Sequence, residues 1–401
     1  MDEKLILQAT APASDTADQS PHMPFDAVIP GNSNENRALN IQEKTRGDIR
    51  LVSRPIRVSM NMTGKCNIRC IYCHLTFADY FTKDELERKT FEALSGFFPT
   101  LSHLVYFAST EPLMARHFKG IFEASGPSKA EKYLSTNGIL MTEDIAELFV
   151  KGDLYYLTIS IAGLTRESFK KAHQVDDLDK VTANIETLNR IKEKYNSITP
   201  KMRLVFVTWK ENAHELVEAV RYAHRHKFSE GIKITYLKAY TDDLIDQIPY
   251  DNLEEVQKWV REAQRLGKEL GVPVAFDGGN FDDFDDEIVG GEHRPCHEPW
   301  ERMHIEADGT VRTCASNLNT IVAGDLKTQT AEEIWNGPVY TDFRERVNTA
   351  NPPDPCRRCT HNFHKDFRRR DIWDQRDLDL GIFERLPAGK SYLKSRHQKK
   401  K

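Results

Sequence analysis

Seven cysteines stand in this sequence of 401 residues, and their types and spacing are the first sign of chemistry in it. Three fall within eight positions, Cys66, Cys70 and Cys73, in the run Asn61-Met62-Thr63-Gly64-Lys65-Cys66-Asn67-Ile68-Arg69-Cys70-Ile71-Tyr72-Cys73. Cys356-Arg357-Arg358-Cys359 forms a C-x-x-C pair, and Cys296 and Cys314 stand alone between the two groups. An odd count argues against a complete disulfide framework, and such clusters in a reducing compartment point to metal ligation. Soft thiolates suit iron–sulfur or zinc chemistry. Three of them leave one corner of a four-iron cubane open to an outside ligand. A zinc ion would need a fourth donor, which the neighbouring His74 could supply. The thiolates of Cys296, Cys314, Cys356 and Cys359 could hold a ribbon-like zinc site or a fully ligated cluster, and the residues alone leave that choice open.

The elements that must position these residues follow from the hydrophobic pattern. Ile56, Val58, Met60 and Met62 alternate as in a strand that runs straight into the first cysteine loop. Thr82 and Glu85 read as a capping box for a helix carrying Leu86, Phe91 and Leu94. Further strands are expected at 104–108, 132–135, 155–161, 203–208 and 232–237. Helical patterns lie between them, among them Val181, Ile185, Leu188 and Ile191. Leu253, Val256, Val260, Ala263 and Leu266 share one face of a last helix, with Asp251 or Asn252 placed to cap it. Strand–helix alternation of this kind predicts an α/β fold with parallel pairing and right-handed crossovers. Six units fall short of the eight that close a barrel, so a partial (βα)6 TIM-like barrel follows, its site at the C-terminal strand ends.

The chain divides accordingly. Residues 1–48 lack periodicity and read as a mobile N-terminal leader, 49–275 as the barrel, 276–370 as a small domain organised around a metal centre, and 371–401 as a solvated basic tail. The stretch Phe281-Asp282-Asp283-Phe284-Asp285-Asp286 reads as a surface loop. Asp308-Gly309 reads as a two-residue hairpin turn that delivers Cys314 on the returning strand.

A C-x-x-x-C-x-aromatic-C loop after the first strand resembles the signature of radical S-adenosylmethionine (SAM) enzymes, and the six alternating units match that family's partial barrel. The resemblance implies that Cys66, Cys70 and Cys73 hold a [4Fe-4S] cluster whose open iron binds the amino and carboxylate groups of SAM. Reductive cleavage of SAM would then give a 5′-deoxyadenosyl radical that abstracts a substrate hydrogen, with Tyr72 packed near the adenine. Ser109-Thr110-Glu111-Pro112 stands where the family has Gly-Gly-Glu-Pro, which meets the methionine ammonium. Ser135-Thr136-Asn137-Gly138 is similar to the family's Thr-Asn-Gly. In Ser160-Ile161-Ala162-Gly163, Ser160 matches a contact to the SAM carboxylate or ribose, while Ala162 replaces the usual acid. The arginine often found on the following helix is absent around Lys171-Ala172-His173. Residues 296–359, with Gly309 and Gly324 between the cysteines, resemble the C-terminal SPASM/twitch extension, which carries auxiliary [4Fe-4S] clusters. No cysteine follows Cys359, so the count implies one auxiliary cluster, ligated by Cys296, Cys314, Cys356 and Cys359.

A fully ligated auxiliary cluster suits electron transfer, which implies an oxidoreductase that dehydrogenates its substrate by two electrons. With all seven cysteines assigned, no thiol is left to return a hydrogen, which disfavours epimerisation. A peptide-recognition domain does not fit in 48 irregular residues, and that favours a small molecule such as a sugar or aminocyclitol. Crosslinking of a ribosomal peptide is the main rival, and a non-enzymatic zinc protein the remote one. An external electron donor such as flavodoxin or ferredoxin is expected. With 56 Lys plus Arg against 61 Asp plus Glu, net charge −5, the chain shows no basic excess for nucleic acid. No run of about 18 apolar residues spans a membrane, and a cytoplasmic location is expected.

Overall fold

The computed structural model describes residues 29–73, 75–76, 81–106, 110–237, 244, 247, 253–276, 295–315 and 321–357. Ten strands form a single open sheet: β1 Arg57–Met60, β2 His103–Tyr106, β3 Glu131–Thr136, β4 Leu154–Ser160, β5 Lys201–Thr208, β6 Ile232–Tyr236, β7 Val274–Phe276, β8 Arg302–Ile305, β9 Thr310–Arg312 and β10 Val322–Asp325. Their order is β10-β9-β8-β1-β2-β3-β4-β5-β6-β7, parallel from β8 to β7 and antiparallel across β8-β9-β10. The expected run of six parallel strands, β1 to β6, is present, and β7 at one edge and β8 beside β1 extend it to eight among the described residues.

Burial alternates along the strands, most regularly along β3 and β5. One side-chain set faces the helices: Val58, Leu104, Leu134, Leu157, Ile159, Met202, Leu204, Phe206, Ile232 and Ile234, all buried in one continuous core with Phe122, Phe149, Ile185, Leu188, Val220 and Val256. Each large apolar side chain so buried contributes about 1.5–3 kcal/mol. The other set lines the concave face and is polar at the N-terminal strand ends: Arg57, His103, Glu131, Tyr133, Tyr156, Lys201, Arg203 and Arg302. A register shift between Lys132 and Tyr133 leaves Tyr155 unpaired on β4. As a result both Tyr155 and Tyr156 pack against Tyr133, with ring centroids 5.7 and 5.6 Å apart.

Three sequence expectations change. The leader contains a 14-residue helix, Ser33–Arg46, capped by the Asn32 side chain and ended by Gly47 in the left-handed region. Periodicity did not reveal it because its buried face is polar: Asn36, Asn40 and Glu43, at helical spacing. Asn36 exchanges hydrogen bonds with the backbone of Arg54, Asn40 donates to Trp300 O at 2.6 Å, and Glu43 accepts from the amides of Val52 and Ser53. Thr82 and Glu85 do not cap a helix. The short helix there is Arg88–Glu92, without a side-chain cap, while Glu85 bridges to Thr63 and pairs with Lys65.

The cysteine-bearing C-terminal segment joins the sheet of the barrel: β8 pairs with β1 along its whole length, Arg57 opposite Arg302 and Met60 opposite Ile305. The hairpin turn has three residues rather than two. Gly309 donates to Glu306 O and, at φ +91°, occupies the bulge position that glycine fills without strain. The Phe281–Asp286 stretch and the Asp251 and Asn252 caps lie outside the described residues.

Segment 48–54 straps the C-terminal elements to the barrel. Asn336 bonds Leu51 in both directions, Trp335 Nε1 donates to Ser53 O, and the buried Arg344 donates to Ile49 O and Pro299 O. Glu43→Ala would leave the amides of Val52 and Ser53 without their acceptor, at about 1–3 kcal/mol per group. A fall in Tm of several degrees is expected. Lys44→Ala, which removes a partly exposed ion pair with Glu301, should cost under about 1 kcal/mol. Equal melting of wild type and Glu43→Ala would refute the anchoring role.

Candidate metal and cofactor site

The first cysteine loop leaves the C-terminal end of β1 and is tied to the ends of three other strands. After β2, Glu111 N donates to Lys65 O at 3.1 Å and Thr110 Oγ1 to Thr63 O at 2.5 Å. From the turn after β3, Asn137 Nδ2 donates to Asn67 Oδ1 at 2.8 Å. Behind β4, the end of the Arg166–His173 helix accepts from the loop, Ile71 N to Ala172 O and Arg69 N to His173 O. Gly64 is needed where the loop pairs with residues 82–84, because a Cβ there would sit 2.0 Å from Thr82 Oγ1.

Most of the residues expected from sequence therefore meet here. Cys66, Cys70 and Cys73 are half-buried and not in disulfides. Tyr72 is half-buried between His173 and Trp209, its hydroxyl within hydrogen-bonding reach of Cys70 and Ser160. Glu111 is 2% exposed. Its Oε1 accepts from Thr136 Oγ1 at 2.7 Å and Leu113 N at 3.1 Å, and Oε2 from Asn137 N at 2.9 Å, so Oε2 keeps acceptor capacity. Burial pushes this carboxyl up to about 7. Gly138, at φ +79°, makes the turn that brings Asn137 round to the loop. Ser109 and His74 lie outside the described residues.

Sequence reasoning missed His173. It is 1% exposed, with Nε2 3.0 Å from Ala162 N and Nδ1 3.2 Å from Cys70 Sγ. A lone histidine on an amphipathic helix gives no signal of its own, and only its fixed distance from the Ser-Ile-Ala-Gly strand end could have pointed to it.

The donor set fits an iron–sulfur cluster. Burial raises the Cys66 thiol and drives Cys70 up to about 12, so bare thiolates are unfavourable here and a bound cationic iron would offset that cost. Among the described residues no three Cys, His, Asp or Glu converge on a single ion; a cubane, with its thiolates on separate corners, needs no such convergence.

The second set lies at the other end of the β1–β8 pair. Cys296 precedes the Glu298–Glu301 turn of helix that leads into β8, and Asn348 clamps its backbone in both directions, at 2.7 and 3.0 Å. Cys314 follows β9; burial, with a smaller contribution from nearby Cys314, raises the Tyr340 hydroxyl above its ordinary value, and that hydroxyl bonds Arg302 O and Arg312 O. Cys356 packs against the core from the Asp354–Arg357 turn. Cys359 lies outside the described residues.

Between the two sets, the barrel floor holds polar atoms without a hydrogen-bond partner among the described residues. His103 Nδ1 and Tyr156 Oη are such orphans. Burial and the neighbouring Arg302 hold the Arg57 guanidinium below its ordinary value. Other groups there are paired: Tyr133 with Glu131 at 2.5 Å, Lys201 with Tyr155 at 3.0 Å and Arg302 with Glu298 at 3.0 Å.

Comparison with known proteins agrees with this geometry. Residues 60–202 match the radical SAM superfamily and residues 296–360 the SPASM iron-sulfur cluster-binding domain. GTP 3',8-cyclase from Synechocystis sp. is 24% identical over 282 residues, 65% of this chain and 78% of that one. Among solved structures, Streptococcus suis SuiB bound to precursor peptide SuiA superposes with a TM-score of 0.58 at 15% identity, over 79% of this chain and 72% of that one. The structure of anSMEcpe with bound AdoMet and a peptide gives 0.54 at 17%, over 82% and 96%. These two show likeness of fold. No helix among the described residues is long and apolar enough to cross a membrane. Motif, barrel and both family matches agree: the chain is a radical SAM enzyme with a C-terminal SPASM iron–sulfur domain.

Proposed function

We propose that this enzyme removes two electrons and two protons from a polar small molecule held on the concave face of the barrel. When bound, SAM and the two clusters supply a hydrogen-abstracting 5′-deoxyadenosyl radical and an acceptor for one electron, so a substrate carbon loses a hydrogen atom, an electron and a proton. Cys66, Cys70 and Cys73 hold the first cluster; Cys296, Cys314, Cys356 and Cys359 hold one auxiliary cluster. Tyr72, Ser109, Thr110, Glu111, Asn137 and Ser160 line the SAM site, with the Glu111 carboxylate as partner of the methionine ammonium.

The observation that carries this reading is the unspent polarity between the two cysteine sets. Among the described residues, His103 Nδ1 and Tyr156 Oη are buried without a hydrogen-bond partner, and Arg57, opposite His103 in the ladder, is held below its ordinary value by burial and by Arg302. Arg57 is three residues from the end of β1, about 10 Å at ordinary strand rise. A polar, anion-bearing molecule of that length would satisfy those groups and still present a C–H bond at the upper end. The sequence likeness to GTP 3',8-cyclase favours a second reading, internal cyclisation of a nucleotide, on the same surface. A peptide substrate, as in the SuiB and anSMEcpe complexes, is the third.

Product mass separates them. Anaerobic incubation with SAM, a reductant and candidate substrates is expected to give 5′-deoxyadenosine and a product lighter by two mass units; an unchanged mass would indicate cyclisation. Exchanging Cys296, Cys314 and Cys356 for alanine should preserve reductive SAM cleavage and abolish product. Continued turnover in that variant would exclude the electron-acceptor role.

Glu111 supplies a test of SAM binding itself. Because its carboxyl titrates at about 7 in the free protein, it is about half protonated at that pH. A cation beside it favours the ionised form. SAM binding should therefore release up to about half a proton at pH 7 and weaken towards tenfold per unit below it. Calorimetry in buffers of different ionisation enthalpy reads this directly, and Glu111→Gln should flatten the dependence. A pH-independent affinity in the wild type would remove Glu111 from the site.

A further inference from the structure

Both ring nitrogens of His173 are engaged, and the partner of one fixes the role of the other. Ala162 N–H donates to Nε2 at 3.0 Å, in the buried strand end after β4. A backbone amide nitrogen only donates, so Nε2 carries no hydrogen and the ring proton sits on Nδ1. An imidazolium would set a second N–H against that amide. Nδ1 lies 3.2 Å from Cys70 Sγ and 3.4 Å from Tyr72 Oη. The ring packs on Phe169 at 4.4 Å between centroids, and Tyr72 stands edge-on at 6.0 Å. Ile71 and Arg69 bond the same helix end, so sulfur and imidazole share one frame.

Resting on the reading that Cys70 is a cluster ligand, we infer that His173 is a positioning residue that donates an N–H···S hydrogen bond to the cluster-bound Cys70 thiolate and raises the reduction potential of the SAM-binding cluster. The reduced cluster puts more negative charge on its sulfurs, so a donor aimed at one of them stabilises the reduced form more than the oxidised form. With its proton on Nδ1, this imidazole adds a donor without adding a charge.

The test is an EPR-monitored redox titration of the anaerobically reconstituted full chain. His173→Phe is expected to lower the reduction equilibrium constant of the SAM-binding cluster about tenfold, which is 59 mV for one electron, while the auxiliary cluster stays where it was. His173→Gln, whose amide can accept from Ala162 N–H and donate to Cys70, should restore most of the shift. A role confined to holding the loop would lower cluster loading but leave the potential of the loaded fraction unchanged, and that result overturns the inference. Wild-type protein labelled with 15N-histidine decides the matter without any variant. Pulsed EPR of the reduced cluster should show coupling to one imidazole nitrogen and to an exchangeable proton, and their absence also overturns it. Unchanged iron and sulfide content on replacing Cys66, Cys70 and Cys73 by alanine would instead sink the cluster reading beneath it.

Discussion

The parallel pairing of β1 with β2 on one side and β8 on the other fixes where everything reactive can stand. A slip of one residue in either register would turn Arg57 and Ser59 into the apolar layer and expose Val58 and Met60, so the register is enforced by burial as well as by the ladder. The first cysteine loop leaves the Met60 end of this pair. Cys296 and Cys314 border the Arg302 end, held there by Asn348 and by the Tyr340 hydroxyl that spans β8 and β9. One pair of short strands thereby sets two thiolate groups at opposite ends of a single polar surface.

That surface runs against the usual economy of a sheet interior. Unpaired buried donors and acceptors cost about 1–3 kcal/mol each, and this barrel floor keeps Tyr156 Oη and His103 Nδ1 without partners among the described residues while crowding Arg57 against Arg302. The apolar layer on the helix side is continuous from Val58 to Ile234 and supplies the stability to carry them. Groups tolerated at such cost on the face between two cysteine sets fit a surface completed by a ligand. A packed floor would have paired them, as Glu131, Glu230 and Glu298 pair their neighbours.

Where residue type and periodicity carry the information, the sequence is legible: the six parallel strands, the Leu178–Lys194 and Leu253–Leu270 helices, and the cysteine loop at the C-terminal end of β1. Polar burial defeats the same reading. The Ser33–Arg46 helix docks through Asn36, Asn40 and Glu43, residues that hydrophobic patterning counts as solvent-facing. The four residues of β8 are too few to show a period, and their place beside β1 is a long-range pairing that no local window contains. Thr82 and Glu85 have the spacing of a capping box, yet Glu85 pairs with Lys65 and stands opposite Thr63 in an antiparallel bridge because the cysteine loop passes beside it. His173 escapes because its importance lies in what stands opposite it, an amide and a sulfur contributed by two other segments.

The surroundings of the cysteine loop also explain how the chain manages with Ala162 where an acid is customary. Charges near the loop are already committed: Lys65 pairs with Glu85, and Arg69 turns onto the carbonyls of Cys66 and Ile68 at 2.8 Å. Tyr72, half-buried, and His173, fully buried, are uncharged. Gly163 lets the next helix approach so closely that a Cβ would lie 2.5 Å from Phe169 N, and that approach brings His173 back to the Ala162 amide. An acidic side chain at 162 would bring a second buried negative charge beside anionic sulfurs. Without it, Glu111 remains as a buried carboxylate beside the loop, its proton affinity raised by burial against the hydrogen bonds from Asn137, Thr136 and Leu113. Among the described residues, a cation placed beside Glu111 would meet that carboxylate with neutral hydrogen-bonding groups around the sulfurs, an arrangement in which electrostatics favour a single orientation.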